Sequence, residues 1–178
     1  MNSLKHWRLA GIITIIILGF LLHYIFSWTS GSKIIGLFVP VNESVWEHLK
    51  LGYWSVVLFS IVEFFPIKHS VNNYWFAKTI GVLALEITIV IIFYGYTFIS
   101  GKIIFQVDIF SYILAAILCQ YLTYIFLRLK PFSKTLNRLS LAMFILLGVL
   151  FGVLTYYPPH IAIFKDHNNN TFGITKEK

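Results

Sequence analysis

Five apolar stretches, each about as long as a membrane-spanning helix, dominate this chain. They cover approximately residues 8–28, 46–65, 75–99, 106–127 and 137–157. A transmembrane helix needs about 20 mostly apolar residues, whereas a barrel strand is about half as long and alternates polar with apolar positions. The chain is also 58% hydrophobic and only 12% charged, which excludes an ordinary soluble domain. We therefore expect an all-α integral membrane bundle of five transmembrane helices, with residues 1–178 forming one domain.

The basic residues of the connecting segments predict an orientation. Eight Lys and Arg residues lie in the N-terminal segment and after the second and fourth spans, against two after the first and third. Because cytoplasmic loops are enriched in Lys and Arg, the N-terminus is expected inside and the C-terminus outside, in a bacterial cytoplasmic membrane. Helix-end cations facing lipid headgroups would also account for the net charge of +7, so we expect membrane lipid and no nucleic acid as partner.

A polar segment, residues 42–48, precedes the second span. Within it, Ser44-x-x-Glu47 is typical of a capping box, in which the Ser44 hydroxyl accepts from the Glu47 amide and the Glu47 carboxylate reaches the Ser44 amide. Glu43 and Glu47 would lie four positions apart on one helix face if the first turn includes Glu43, and Ser44 and His48 would share the neighbouring face. Two interpretations remain open for this segment, a helix cap or a His/carboxylate site.

A second polar cluster follows the last span. Pro158 and Pro159 end the fifth helix, and His160 and Asp166 follow. With an odd number of spans crossed, this cluster should share the outer face with residues 42–48, and the tail 158–178 should fold over the bundle mouth. We predict that His48 and His160 lie within reach of one ligand. Together with one carboxylate they would leave an open position on a bound zinc ion.

Ionisable residues inside the spans add candidates. Such residues are costly in a membrane unless they are paired, hydrated or functional. His23 should lie below the outer surface, and Glu86 lies near the middle of the third span, either protonated or paired within the bundle. Near the inner interface, Glu63 is expected to be hydrated or paired with Lys68. Near the outer start of the fourth span, Asp108 is expected to pair with Lys102. The expected partners of Glu86 are Gln120, Tyr121 or Thr88. The candidate substrate-binding residues are Asn42, Trp46, His23, Asp166 and Glu86.

Two resemblances bear on this pattern. The segment Val41–Gly52 (VNESVWEHLKLG), with Pro158–Ile161 (PPHI), resembles a family of small bacterial multi-pass membrane proteins of unknown function. Ser44-x-x-x-His48 and Trp46-x-His48 are also similar to patterns in the hydrolase superfamily of alkaline ceramidases and adiponectin-type receptors. That second resemblance implies a zinc amidase site at one end of a seven-span bundle. This chain has five spans and no His-x-x-x-His in the last one.

Three functional hypotheses remain open. The first is a hydrolase or acyl-transfer enzyme for a lipid or lipid-linked substrate, with His48 as base or metal ligand, Glu43 or Glu47 as its carboxylate partner, and His160 as the second imidazole. The second is a non-catalytic binder or transporter of a small ligand, ion or peptide, with a polar path through His23 and Glu86. The third is a structural or immunity protein, in which the polar groups satisfy one another.

Overall fold

The computed structural model describes residues 2–174, and within that range it is all-helical. Five of the six α-helices are long and apolar enough to cross a membrane, which confirms the predicted five-span bundle. A single turn of 3-10 helix, Ala162–Phe164, follows them. The helices are α1 (Asn2–Trp28), α2 (Lys33–Gly36), α3 (Val45–Ile67), α4 (Tyr74–Ser100), α5 (Phe105–Arg128) and α6 (Lys134–Tyr156).

Short connections place successive long helices antiparallel. Ser44 caps the start of α3 by accepting from the backbone N–H of Glu47. Gly101, at φ 67°, ends α4 in the left-handed region and allows the tight turn into α5. One end of the bundle therefore carries the ends of α1, α4 and α6 and the starts of α3 and α5. We call it the site end, and the other the opposite end.

The interior is packed by small and branched apolar residues. Helix α1 packs on α3 and α5, while α4 packs on α3, α5 and α6. At Gly52 a Cβ atom would lie 2.3 Å from Leu85 Cδ2, so the missing side chain is what lets α3 approach α4. Large apolar side chains such as Ile17, Ile91 and Phe98 stay exposed on the outer surface of the bundle. Apolar residues both inside and outside are typical of helices that face lipid.

A buried charged cluster lies near the opposite end, and it corrects the expectation that Arg8 and Lys78 face lipid headgroups. Arg8 and Lys78 both pair with Glu63, whose side chain is fully buried, and Arg8 also donates to Gln120 Oε1 at 2.9 Å. Glu63 therefore binds two interior cations rather than Lys68. Because an ion in a membrane interior needs a partner, this cluster holds α1, α3, α4 and α5 in one arrangement.

The connection after α1 and the C-terminal tail both pack onto the site end. Val39 is buried and packs with Leu22 and Leu51. Phe164 in the tail packs on Trp46, with ring centroids 4.7 Å apart. The predicted tail residues 175–178 lie outside the described residues.

Candidate metal centre

Three side chains converge at the site end. His23 comes from α1, Glu43 from the segment before α3, and His48 from the first turns of α3. His48 Nε2 lies 3.3 Å from Glu43 Oε2, and His23 Nε2 lies 3.8 Å from the same oxygen. One ligand atom from each residue lies within 4.8 Å of the other two. His23 is thus the imidazole that the structure places beside His48, where the sequence predicted His160.

The start of α3 explains this convergence. Because Ser44 caps the helix, Glu43 stands just outside it and His48 stands one turn inside. His48 Nδ1 lies 2.9 Å from the carbonyl oxygen of Ser44. We assign one ring proton to Nδ1, since a carbonyl oxygen only accepts. Nε2 is therefore the nitrogen that faces Glu43 and His23: it donates to Glu43 when it is protonated and can bind a metal ion when it is deprotonated. The His23 and His48 rings lie 5.3 Å apart between centroids.

The electrostatics favour an ionised carboxylate. Hydrogen bonds from His23 and then His48 hold the pKa of Glu43 well below its usual range, although partial burial opposes them. The side chains of His23, Glu43 and His48 are 30%, 43% and 33% exposed, so an ion can reach the group from solution.

A cavity of about 470 Å³ adjoins this group and extends toward α4 and α5. Its walls are mostly apolar, including Leu51, Ile89 and Phe105, and its polar groups beyond the cluster include Asp108 and His167.

Both of these polar residues present a side chain to the cavity. Asp108 accepts from the Tyr96 hydroxyl at 2.7 Å, instead of pairing with Lys102 as the sequence predicted. His167 Nε2 is buried and has no hydrogen-bond partner among the described residues. Burial lowers the pKa of His167, so the ring is neutral near pH 7.

Glu47 makes hydrogen bonds and an ion pair inside the bundle. Both of its carboxylate oxygens are occupied: Oε1 accepts from Thr155 Oγ1 at 2.8 Å, and Oε2 accepts from Val41 N at 3.0 Å and pairs with Lys50 Nζ at 2.6 Å. Glu47 and Lys50 are both buried. The predicted capping box is therefore half present: Ser44 Oγ accepts from the Glu47 amide at 3.3 Å, but the Ser44 amide donates to Asn42 Oδ1 at 2.9 Å.

Four other predicted site residues are not among the residues that line this cavity. Asn42 Nδ2 donates to the Gly173 carbonyl at 2.9 Å, and Trp46 packs on Phe151 with ring centroids 4.7 Å apart. Asp166 is buried and accepts from the backbone N–H of Asn168 at 2.8 Å.

The fourth of these residues is His160, the predicted second imidazole. Its ring lies 4.6 Å from that of Phe172, within the tail.

Glu86 is buried inside the bundle, and both of its carboxylate oxygens are without a hydrogen-bond partner among the described residues. None of the three partners predicted for it is engaged with it. Gln120 Oε1 accepts from Arg8, Thr88 donates to the Ala84 carbonyl at 2.6 Å, and Tyr121 is 59% exposed.

The His23, Glu43 and His48 group fits a divalent transition metal. Tetrahedral zinc, with bonds of about 2.0–2.2 Å to nitrogen and oxygen, places its ligand atoms about 3.3–3.5 Å apart. The two separations to Glu43 are 3.3 and 3.8 Å and the third pair lies within 4.8 Å, so side-chain rotations that draw the three atoms together would meet that geometry. Three protein ligands leave a fourth position for water or substrate, as in catalytic zinc sites.

Sequence reasoning did not assign Asp108 to this site. Asp108 lies one turn into α5, and the turn at Gly101 brings the start of α5 to the end of α4, at the site end. The signal available in the sequence was an acidic residue in the first turn of a span that begins at the same face as residues 42–48.

Comparison with known proteins places the chain in one family. Residues 1–174 match the Family of unknown function (DUF6512), so the chain belongs to that family. No curated protein and no solved structure matches it.

Proposed function

We propose that this member of the DUF6512 family is a zinc-dependent hydrolase that cleaves an ester or amide bond of a lipid. The observation that carries the proposal is the convergence of His23, Glu43 and His48 at one end of a membrane bundle, beside a largely apolar cavity. Two imidazoles and a carboxylate are ligands that zinc favours in proteins, and an open fourth position is typical of its catalytic sites.

The surroundings of the ligands support metal binding. The Ser44 carbonyl fixes the orientation and tautomer of His48, as outer partners of metal-bound histidines commonly do. Glu43 is kept ionised by the same two histidines that would share the metal with it. A bound zinc ion would polarise a substrate carbonyl and lower the pKa of a water molecule to about 7.

The cavity supports a lipid substrate. Its apolar walls suit an acyl chain, and the three candidate metal ligands are among the residues that line it. Asp108 and His167 line the same cavity and are the candidates for proton transfer. His167 is neutral and unpartnered, so it suits the base, while Asp108 is held in place by Tyr96.

We also propose that the site end faces the outside of the cell. The support is the bias of Lys and Arg toward the other connections. Arg8 and Lys78, two of the eight cations counted for this orientation, are buried in pairs with Glu63. The other six still outnumber the two cations in the connections at the site end.

Zinc content tests the metal part of the proposal. The purified protein is loaded with zinc and freed of unbound metal, and its zinc content is measured by inductively coupled plasma mass spectrometry. We expect about one zinc ion per chain in the parent. His48→Ala and Glu43→Gln should retain less zinc, because losing a ligand should lower the zinc affinity at least about tenfold. His160→Ala, the matched histidine control at the same end, should keep the metal. Equal zinc content in all four proteins would contradict the site.

Hydrolysis tests the reaction. Mixed micelles containing lipid esters and lipid amides are incubated with the zinc-loaded protein, and released fatty acid is measured. His167→Ala, which removes the proposed base, should retain zinc but lose about 10²- to 10⁴-fold in rate, which is what general acid–base catalysis contributes. Zinc binding without fatty acid release from any ester or amide would favour a non-catalytic binder.

A further inference from the structure

Glu86 lies near the midpoint of α4 and is not among the residues that line the cavity beside the metal centre. Its carboxyl group is buried, and neither oxygen has a hydrogen-bond partner among the described residues. An ionised carboxylate in such surroundings would lose its hydration and gain nothing in return.

The nearby cations do not neutralise Glu86. Lys78 precedes it on α4 by eight positions, which is about 12 Å along the helix axis at 1.5 Å per residue. Lys78 and Arg8 are each already paired with Glu63. Neither cation is therefore available to neutralise Glu86.

The other groups around Glu86 do not carry a compensating charge. Tyr53 on α3 faces this part of the interior, and its hydroxyl donates to the Phe144 carbonyl at 2.7 Å. Tyr112 and Cys119 face it from α5, and neither side chain can carry a positive charge. Helix α6 has no titratable side chain between Arg138 and Tyr156.

We propose that Glu86 is a proton-binding site inside the membrane, with a carboxyl group that carries a proton in the resting protein and exchanges it with water. Protonation removes the charge and supplies an O–H donor, so the group becomes tolerable among apolar helices. Release of the proton would create an unpaired anion between the metal centre and the charged cluster. Proton release must therefore accompany a change in packing or hydration of α4. The proposal does not depend on metal binding at His23, Glu43 and His48.

An apolar carbodiimide tests the protonation state. Dicyclohexylcarbodiimide partitions into membranes and reacts with a protonated carboxyl group. The carboxyl oxygen bonds to the central carbon of the reagent while the proton moves to one of its nitrogens, and the adduct rearranges to an N-acylurea. In membrane vesicles we expect this adduct on Glu86 and none on Glu63, which serves as the matched buried control because it is paired through both oxygens. An adduct on Glu63 without one on Glu86 would overturn the proposal.

If the carbodiimide modifies neither residue, infrared spectroscopy measures the protonation state of Glu86 directly. The parent should show the carbonyl band of a protonated carboxylic acid that is absent from Glu86→Gln. The band should shift to lower frequency after transfer into D₂O, which reports exchange of the proton. Glu86→Gln should fold normally, since the amide is neutral like the protonated acid. The absence of an acid band from the parent, or a band that does not shift in D₂O, would contradict the proposal.

Discussion

Replacing Glu63 by Gln should destabilise the bundle more than any other single carboxylate-to-amide change at a buried pair. The Glu63 side chain is fully buried, and its partners Arg8 and Lys78 are 7% and 0% exposed. The amide would leave two buried cations without an anion. Removing one partner of a buried ion pair costs about 3–5 kcal/mol, and here one carboxylate is the partner of two cations. We therefore expect a loss of at least about 3 kcal/mol, or about a 150-fold shift in the unfolding equilibrium.

Unfolding of the protein in mixed detergent micelles, followed by circular dichroism during titration with a denaturing detergent, measures this loss. Glu43→Gln is the control, since its side chain is 43% exposed and should cost no more than about 1 kcal/mol. Adding Lys78→Met to Glu63→Gln should restore part of the stability, because only one buried cation then remains. A Glu63→Gln protein within about 1 kcal/mol of the parent would refute the account of this cluster.

Two further predictions concern helix packing and orientation. Gly52→Ala should cost about 1–3 kcal/mol, because its Cβ would meet Leu85 Cδ2 at 2.3 Å, whereas Gly95→Ala has no atom within 4 Å and should be neutral or slightly stabilising. Equal melting temperatures for the two variants would show that α3 and α4 do not need this close approach. In whole cells a membrane-impermeant thiol reagent should label a cysteine at the exposed Asn169 and not one at the exposed Ser133, and the reverse pattern would invert the proposed topology.

The sequence predicts the spans well because hydropathy alone determines them. Each of the five apolar stretches is a helix in the structure, and the Ser44 cap at the start of α3 follows from a local motif. These features depend on residues that are close together in the chain. Membrane insertion needs every backbone group bonded within its own helix, so composition and length suffice.

Pairings between helices are harder to predict. Lys50 is three residues after Glu47, yet nothing local shows that it is buried and also donates to the Gly36 carbonyl at 2.8 Å and to Thr155 Oγ1 at 2.9 Å. The positions of Arg8 and Lys78 near the ends of apolar stretches favoured headgroup contact. Their burial depends on Glu63, a residue more than 50 positions from Arg8.

The candidate site could be predicted only in part from the sequence. His48 and Glu43 were assigned together because both belong to the polar segment 42–48. The second imidazole required knowledge of which helix packs beside α3. Helix α1 takes that place and brings His23 to Glu43, while the fold of the tail stacks His160 on Phe172. Periodicity does not encode helix neighbours, so this part of the site had to come from the three-dimensional structure.

X-ray absorption at the zinc edge tests the central claim most directly. Zinc bound at His23, Glu43 and His48 should show only nitrogen and oxygen ligands at about 2.0–2.2 Å, with the outer-shell scattering of two imidazole rings. His23→Ala should reduce the imidazole contribution from two rings to one, and His160→Ala should leave the spectrum unchanged. Zinc with sulfur ligands, or a spectrum that loses a ring in His160→Ala and not in His23→Ala, would contradict the proposed metal centre.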